Sequence, residues 1–170
     1  MLNAHFEKVT YSQFQDDCLK LGYNIPRTKL MQLYDDIQLP RRAEPGSAGY
    51  DFYMPLDETP VMPGQPVTFP TGIRVILEPS QFLLCVPRSG LGFKYGMRLV
   101  NTCGIIDSSY AFSDNEGHIM AKIDCDNPFM LGHGDRFMQG IIIPYNITAD
   151  DNPIKDKRNG GFGSTGGANV

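Results

Sequence analysis

The sequence predicts an all-β sandwich or jelly roll behind a short helical N-terminal segment. Three observations support this. From Ile37 onward, short apolar runs recur with turn signals between them, the pattern of short paired strands. The chain carries 18 Gly and 13 Pro in 170 residues, enough to punctuate many turns. Its 41% hydrophobic and 20% charged content is that of an ordinary globular chain, and its length suits one domain with a core of its own.

Residues 10–22 read as a helix. Thr10 or Ser12 can cap its start, Gly22 can end it, and Phe14, Cys18 and Leu21 fall on one face. Over residues 28–37, Leu30, Leu33, Tyr34 and Ile37 keep helical spacing, but Pro26 and Pro40 bracket only a short piece, so the reading stays ambiguous. Residues 1–35 are expected to form an N-terminal extension packed on the main domain. Candidate strands then run Ala48–Met54, Val67–Phe69, Gly72–Leu77, Phe82–Val86, Thr102–Ile106, His118–Asp124 and Phe137–Tyr145. Turn signals at Met62 to Pro66, Glu78-Pro79, Asp126 to Pro128 and Gly132 to Asp135 separate them. They define a β domain over residues 36–147. After Asn146 the chain turns polar and reads as a linker into a glycine-rich tail, together residues 148–170.

Composition excludes several classes. No apolar stretch approaches the ~20 residues that span a bilayer, and no secretory signal opens the sequence, so a cytoplasmic protein with no membrane partner is expected. The net charge of -4 argues against broad nucleic-acid binding, while local Arg and Lys can still hold a small anionic ligand. Cys18, Cys85, Cys103 and Cys125 are scattered without a C-x-x-C pair and read as reduced core residues. His5, His118 and His133 show no ligand spacing, so no protein zinc site is expected.

The chemistry concentrates in five segments. Ala48-Gly49-Tyr50-Asp51 puts a carboxylate in a strand, where propensity disfavours it, which points to a metal or ion-pair role. Pro87-Arg88-Ser89-Gly90-Leu91-Gly92 follows an apolar strand and offers a guanidinium, whose planar fork suits phosphate, beside a hydroxyl and flexible backbone. Asn101 to Tyr110 holds Asp107 directly after Ile105-Ile106, a boundary where a carboxylate can be partly desolvated as a general base. Within it, Tyr110 can pack on a sugar and Asn101 can both donate and accept at a base edge. Gly134-Asp135-Arg136 opens a strand that carries Gln139, suited to water or phosphate, with Arg136 an equally good structural ion-pair partner.

The fifth segment is the tail, Arg158 to Gly166, with one cation, one aromatic and two adjacent hydroxyls among glycines whose N–H groups can meet anionic oxygens. Its Gly161 to Gly166 stretch matches G-x-G-x-x-G, but no helix can follow, and no Lys precedes Ser164-Thr165 as a P-loop requires. Residues Asp107 to Gly117 lack the alternating oxygen ligands of a calcium loop.

These five blocks, in this order, resemble the trimeric dUTP pyrophosphatase (dUTPase) family over about residues 37–167. The N-terminal extension is similar to variants in Gram-positive bacteria and their phages. The resemblance implies a dUTPase-like jelly-roll or β-clip fold in a homotrimer with active sites at subunit interfaces, each closed by a C-terminal arm. It implies hydrolysis of dUTP to dUMP and pyrophosphate with Mg²⁺ on the triphosphate. Asp107 would activate water for attack on the α-phosphorus, and Tyr110 would pack on deoxyribose and exclude a 2′-hydroxyl. Asn101 and the hairpin at Gly104, Ile106 and Ile119 would read uracil. Arg88, Ser89, Gly90 and Gln139 would hold phosphates or water, and Asp51 would support the Mg²⁺ hydration shell. Phe162 would stack on uracil, with Arg158, Gly163, Ser164 and Thr165 toward the γ end.

Three departures stand out. Where the family places the tail Arg, five residues before the Phe, this chain has Lys157, with Arg158 one step late. Tyr110 is normally followed almost at once by Gly, whereas residues 111–116 intervene here before Gly117. The family often has Ser where Gly90 stands. Two alternatives share the scaffold. A dCTP deaminase would carry its catalytic Glu shortly after Gly117-His118-Ile119, and Met120 to Ile123 holds no carboxylate. A phage regulator would bind a repressor protein, with the 111–116 insertion as the surface.

Overall fold

The apolar runs after Ile37 form strands where alternate residues can be buried against a common core. The computed structural model describes residues 4–153. Its elements in chain order are β1 (His5–Lys8), α1 (Tyr11–Lys20), α2 (Arg27–Asp35), β2 (Arg41–Arg42), β3 (Tyr50–Tyr53), β4 (Thr59–Val61), β5 (Val67–Pro70), β6 (Ile73–Ile76), β7 (Gln81–Pro87), α3 (Ser89–Tyr95), β8 (Arg98–Leu99), β9 (Gly104–Asp107), a 3-10 helix (Ser108–Phe112), β10 (Met120–Asp124), β11 (Phe129–Leu131) and β12 (Arg136–Pro144). None of the described helices is long and apolar enough to cross a membrane.

The largest sheet has the order β2-β3-β12-β7-β9, with antiparallel neighbours throughout. A second sheet runs β5-β10-β8, and β1-β6 and β11-β4 form two-stranded pairs. All four are antiparallel, and of the paired neighbours only β2 and β3 are consecutive in sequence, so the chain crosses from sheet to sheet. The core between them is apolar and includes Phe52, Phe69, Leu83, Ile123, Phe137 and Met138.

The register of β12 shifts between Arg136 and Met138. The extra residue puts Phe137 and Met138 both in the core. It leaves Arg136 and Gln139 together on the outer face, and Gln139 lies opposite Asp51 on one side and Val86 on the other.

The N-terminal helices form as the spacing predicts. Thr10 caps α1 by accepting from Gln13 N at 3.2 Å. Phe14 and Cys18 are fully buried, but Leu21, expected beside them, lies at the C-cap and is 37% exposed. Asp17 takes the buried position instead. The ambiguous stretch is helical: α2 buries Leu30 and Leu33, and the Lys8 ammonium donates to the carbonyls of Tyr34 and Asp35 at its C-terminal end. Residues before the first helix add strand β1, which pairs with β6 from His5 opposite Ile76 to Lys8 opposite Ile73.

Candidate active site

The candidate residues fall into two groups. The first lines a cavity of about 500 Å³ where β9 approaches β10. Asn101, Gly104, Ile106, Tyr110 and Ile119 all lie in its wall, joined by Cys85 and Cys103. Cys103, expected in the core, is instead half-buried and faces the cavity, because it sits in the turn before β9 rather than inside a strand. Cys85 is buried, and burial pushes its thiol up to about 12.

Two strand edges flank this cavity. Among the described residues, β9 is the last strand of its sheet, and β10 meets β8 only at Ile123 and Asp124. The edges of Gly104–Ile106 and of Met120-Ala121 therefore offer main-chain N–H and C=O groups. Ile119 contributes differently. Its N–H bonds Ile73 O at 2.9 Å, and its carbonyl accepts from Thr71 N at 3.2 Å and Thr71 Oγ1 at 2.7 Å. With its main chain engaged, Ile119 presents an apolar side chain.

Tyr110 is 3% exposed, and its ring forms part of the wall. Its hydroxyl donates to His118 O at 2.9 Å and accepts from Asn115 Nδ2 at 2.8 Å. Asn115 Oδ1 in turn accepts from Ser113 Oγ at 2.8 Å and Gly117 N at 3.3 Å. The inserted residues 111–116 thus fold back on Tyr110. Gly117 allows it: φ is +72°, and a Cβ there would lie 2.6 Å from Ala111 Cα. Sequence reasoning missed Asn115 and Ser113, because nothing local marks a side chain that bonds five residues back.

The second group surrounds Asp51. This carboxylate is buried and accepts from Arg88 Nε at 2.9 Å and Arg136 Nη1 at 3.1 Å. Of the two roles expected for a strand Asp, the ion pair is thus formed. Arg88, Gly90, Lys94 and Arg136 line a second cavity of about 450 Å³. The flexible loop expected after Pro87 is helix α3, with Arg88 at its N-cap and Ser89 its first residue. Gln139 donates to Pro87 O at 3.4 Å, and a Cβ on Gly49 would overlap its Oε1, so only glycine lets this amide lie over β3.

Asp107 ends β9 on the face it shares with Phe82, opposite in the register, and lines neither cavity. The two cavities share no residue. Lys157, Arg158, Phe162, Gly163, Ser164 and Thr165 lie outside the described residues.

Among the described residues no group of three His, Cys, Asp or Glu is placed to hold a metal ion. Asp51 is the one candidate expected to face such an ion. Two of its roughly four lone-pair sites are taken by the arginines, which leaves it able to accept from a metal-bound water.

Known proteins match on both levels. The dUTPase family model covers residues 35–166. The deoxyuridine 5′-triphosphate nucleotidohydrolase of Lactococcus lactis is 34% identical over 134 residues, which span 76% of this chain and 89% of the relative. That of Shewanella baltica is 38% identical over 142 residues, spanning 77% and 88%. The crystal structure of dUTPase from Streptococcus mutans superposes with a TM-score of 0.64 at 28% identity, covering 85% of this chain and 98% of the other.

Proposed function

This chain belongs to the dUTPase family, and on that premise we propose how its residues share the reaction. The protein hydrolyses dUTP to dUMP and pyrophosphate, which removes dUTP from the nucleotide pool. Met120 to Ile123, where a deaminase of this scaffold would need a carboxylate, has none, which supports hydrolysis over deamination.

The observation that carries the reading is the cavity of Asn101, Gly104, Ile106, Tyr110 and Ile119 between two strand edges. Uracil presents alternating acceptor, donor and acceptor groups along one edge. A strand edge offers the complement without any charged side chain. Cytosine reverses two of these groups, and an unpaired polar atom in such a slot costs about 1–3 kcal/mol. The Tyr110 ring closes the wall under the deoxyribose and leaves no room for a 2′-hydroxyl. Asp107 takes a proton from the attacking water. The water oxygen bonds the α-phosphorus as the bond to the bridging oxygen breaks, and pyrophosphate leaves with that electron pair.

Arg88, Ser89 and Gly90 hold phosphates, and Gln139 orients water or phosphate. Arg88 is oriented for this by the carboxylate of Asp51, which it shares with Arg136. Asp51 would also support the hydration shell of Mg²⁺ carried on the triphosphate, where the ion would offset phosphate charge. The dUTPase of phage phi11 of S. aureus, 18% identical here, is known with a structural Mg(II) ion. Because the two cavities share no residue, we assign the complete site to the interfaces of a homotrimer, one subunit's nucleoside cavity facing another's arginines. The tail, with Phe162 on uracil and Lys157 or Arg158, Gly163, Ser164 and Thr165 toward the γ-phosphate, closes each site as a C-terminal arm.

Incubation with Mg²⁺ and dUTP, dCTP, dTTP or UTP, reading pyrophosphate and base identity, tests this. Pyrophosphate from dUTP alone is expected; comparable release from UTP or dTTP overturns the role given to the Tyr110 cavity. Removal of residues 158–170 is expected to abolish most hydrolysis while the fold persists, and full activity would overturn the arm.

A second reading adds a protein partner. Phe112, in the insertion, is 82% exposed beside buried Ala111 and Ser113, an apolar ring held outward. An exposed apolar ring suits docking of a partner protein such as a repressor, and the phage 80alpha dUTPase belongs to a group that controls transfer of virulence genes. Phe112→Ala should abolish binding of a repressor from the same phage or host while hydrolysis continues. Undiminished binding places the surface elsewhere.

A further inference from the structure

We propose that helix α1 is part of the scaffold of the nucleoside cavity, and that Asp17 and His118 are positioning residues for Tyr110 and Ile119. This rests on the assignment of deoxyuridine to that cavity.

The N-terminal extension and the 111–116 insertion meet each other. At the start of α1, Thr10 donates its N–H to Glu116 Oε2 and its hydroxyl to Glu116 Oε1, both at 2.7 Å. Glu116 has φ +58°, a conformation that favours glycine, so this pair of bonds holds a residue the backbone alone would release.

Two turns along α1 the contact is buried. His118 is fully buried and Asp17 is 5% exposed. The imidazole Nε2 lies 2.8 Å from Gly72 N, whose hydrogen makes it the acceptor. The ring is therefore neutral with its proton on Nδ1, which donates to Asp17 Oδ2 at 2.7 Å. The carbonyl of the same residue receives the Tyr110 hydroxyl, and the next residue is Ile119. Thr71, next to Gly72, holds the Ile119 carbonyl. A closed circuit thus joins His118, Ile119, Thr71 and Gly72, and both Asp17 of α1 and the Tyr110 hydroxyl are bonded to it at His118.

Such a circuit has discrete geometry, because each buried polar group left unpaired is costly. An acid–base role for the pair does not fit. Both ring nitrogens are engaged, and His118 lines neither of the two large cavities.

The test compares full-length Asp17→Ala, Asp17→Asn and Leu33→Ala with wild type, well below their melting temperatures. Asp17 Oδ2 accepts from both His118 and Gln13, while Oδ1 faces only exposed Lys20 at 3.5 Å. Asparagine with its oxygen at the Oδ2 position keeps both bonds. Leu33→Ala removes buried packing in α2 without touching the circuit. For Asp17→Ala we expect KM for dUTP to rise about 3-fold to 30-fold and preference for dUTP over UTP to fall by a similar factor, with kcat changed little. Asp17→Asn should restore both, and Leu33→Ala should lower stability without moving either.

Wild-type KM and preference in folded Asp17→Ala overturn the proposal, as does an equal change in Leu33→Ala. If Asp17→Ala yields no folded protein, Glu116→Ala, which breaks the surface contact, takes its place: a raised KM with reduced preference supports the proposal, and wild-type values overturn it. Tyr110→Ala separates the two levels. If it leaves the preference for dUTP intact, the cavity assignment fails. If it abolishes the preference while Asp17→Ala does not, only the coupling fails.

Discussion

Replacing Tyr110 by Phe separates the two jobs of this side chain, holding the insertion and facing the sugar. The hydroxyl makes two bonds, to His118 O at 2.9 Å and from Asn115 Nδ2 at 2.8 Å. Once it is gone, Asn115 Nδ2 retains only its longer contact to His118 O at 3.4 Å. Each bond contributes about 1 kcal/mol net, and Asn115 is partly exposed, so water repairs some of the loss. Tyr110→Phe should therefore cost about 1–2 kcal/mol. For a chain of this size that lowers Tm by roughly 2–8 °C. The ring keeps its packing but loses the bond to His118 that positions it, so the preference for dUTP over UTP should fall about 3-fold to 30-fold, about 0.7–2 kcal/mol of discrimination. Thermal unfolding at one protein concentration and paired kinetics with the two nucleotides give both numbers. An unchanged Tm would mean the bonds do not brace the insertion. An unchanged preference for dUTP would mean that the ring keeps its place at the cavity without the bond to His118.

Asp107→Asn should keep nucleotide binding and lower turnover by about 10²–10⁴-fold, the contribution of a general base; near-normal turnover in a pyrophosphate assay removes Asp107 from that role. Asp51→Asn leaves two guanidiniums without their shared charge. The arginine side chains are 33% and 43% exposed, so the cost should be about 1–3 kcal/mol rather than that of a fully buried pair, read from urea unfolding; no loss would show that solvent already screens the cluster. Iodoacetamide at about pH 8 should label Cys103 first and leave Cys18 and Cys85, both pushed up to about 12 by burial, unmodified; nucleotide should protect Cys103, and equal labelling of all four would contradict the burial.

Burial pushes the Asp17 carboxyl up, but bonds from His118 and Gln13, with Lys20 nearby, outweigh it and leave it lowered. A lowered carboxyl stabilises the fold above its unfolded value and loses that contribution as pH falls through the folded one. The stability gap between wild type and Asp17→Asn should therefore shrink as pH drops from about 5 to about 3, and a constant gap in urea midpoints would refute it.

Gln81–Pro87 was legible in the sequence because every second residue enters the core, and Arg136–Pro144 because its apolar run follows a turn signal, although its register shift breaks the alternation. His5–Lys8 was not, since only Phe6 is apolar and its pairing to Ile73–Ile76 is set by residues far along the chain. Thr59–Val61 carries Pro60 and Ser89–Tyr95 carries two glycines, so each reads locally as a turn. The same division holds at the candidate site. Of the residues that gather at the first cavity, Asn101 and Tyr110 could be named from their chemistry, and Gly104, Ile106 and Ile119 from the family resemblance. The register shift in β12, which brings Arg136 and Gln139 to one face with Asp51, leaves no local mark. Nor does the bond between His118 and Asp17, which joins residues 101 apart; His118 has no signature beyond being a histidine after a glycine.

The contact between α1 and the insertion bears on inheritance. Thr10 and Glu116 lie 106 positions apart in the gene, and Asp17 and His118 lie 101 apart. A recombination crossover anywhere between them would separate the partners. The progeny receiving the later portion alone would carry Glu116 in its left-handed turn without Thr10, and a sealed imidazole N–H with no acceptor. The progeny receiving the earlier portion alone would carry a carboxylate on a helix face that packs against the fold. Either mosaic would carry unpaired groups beside the wall of its own nucleoside cavity.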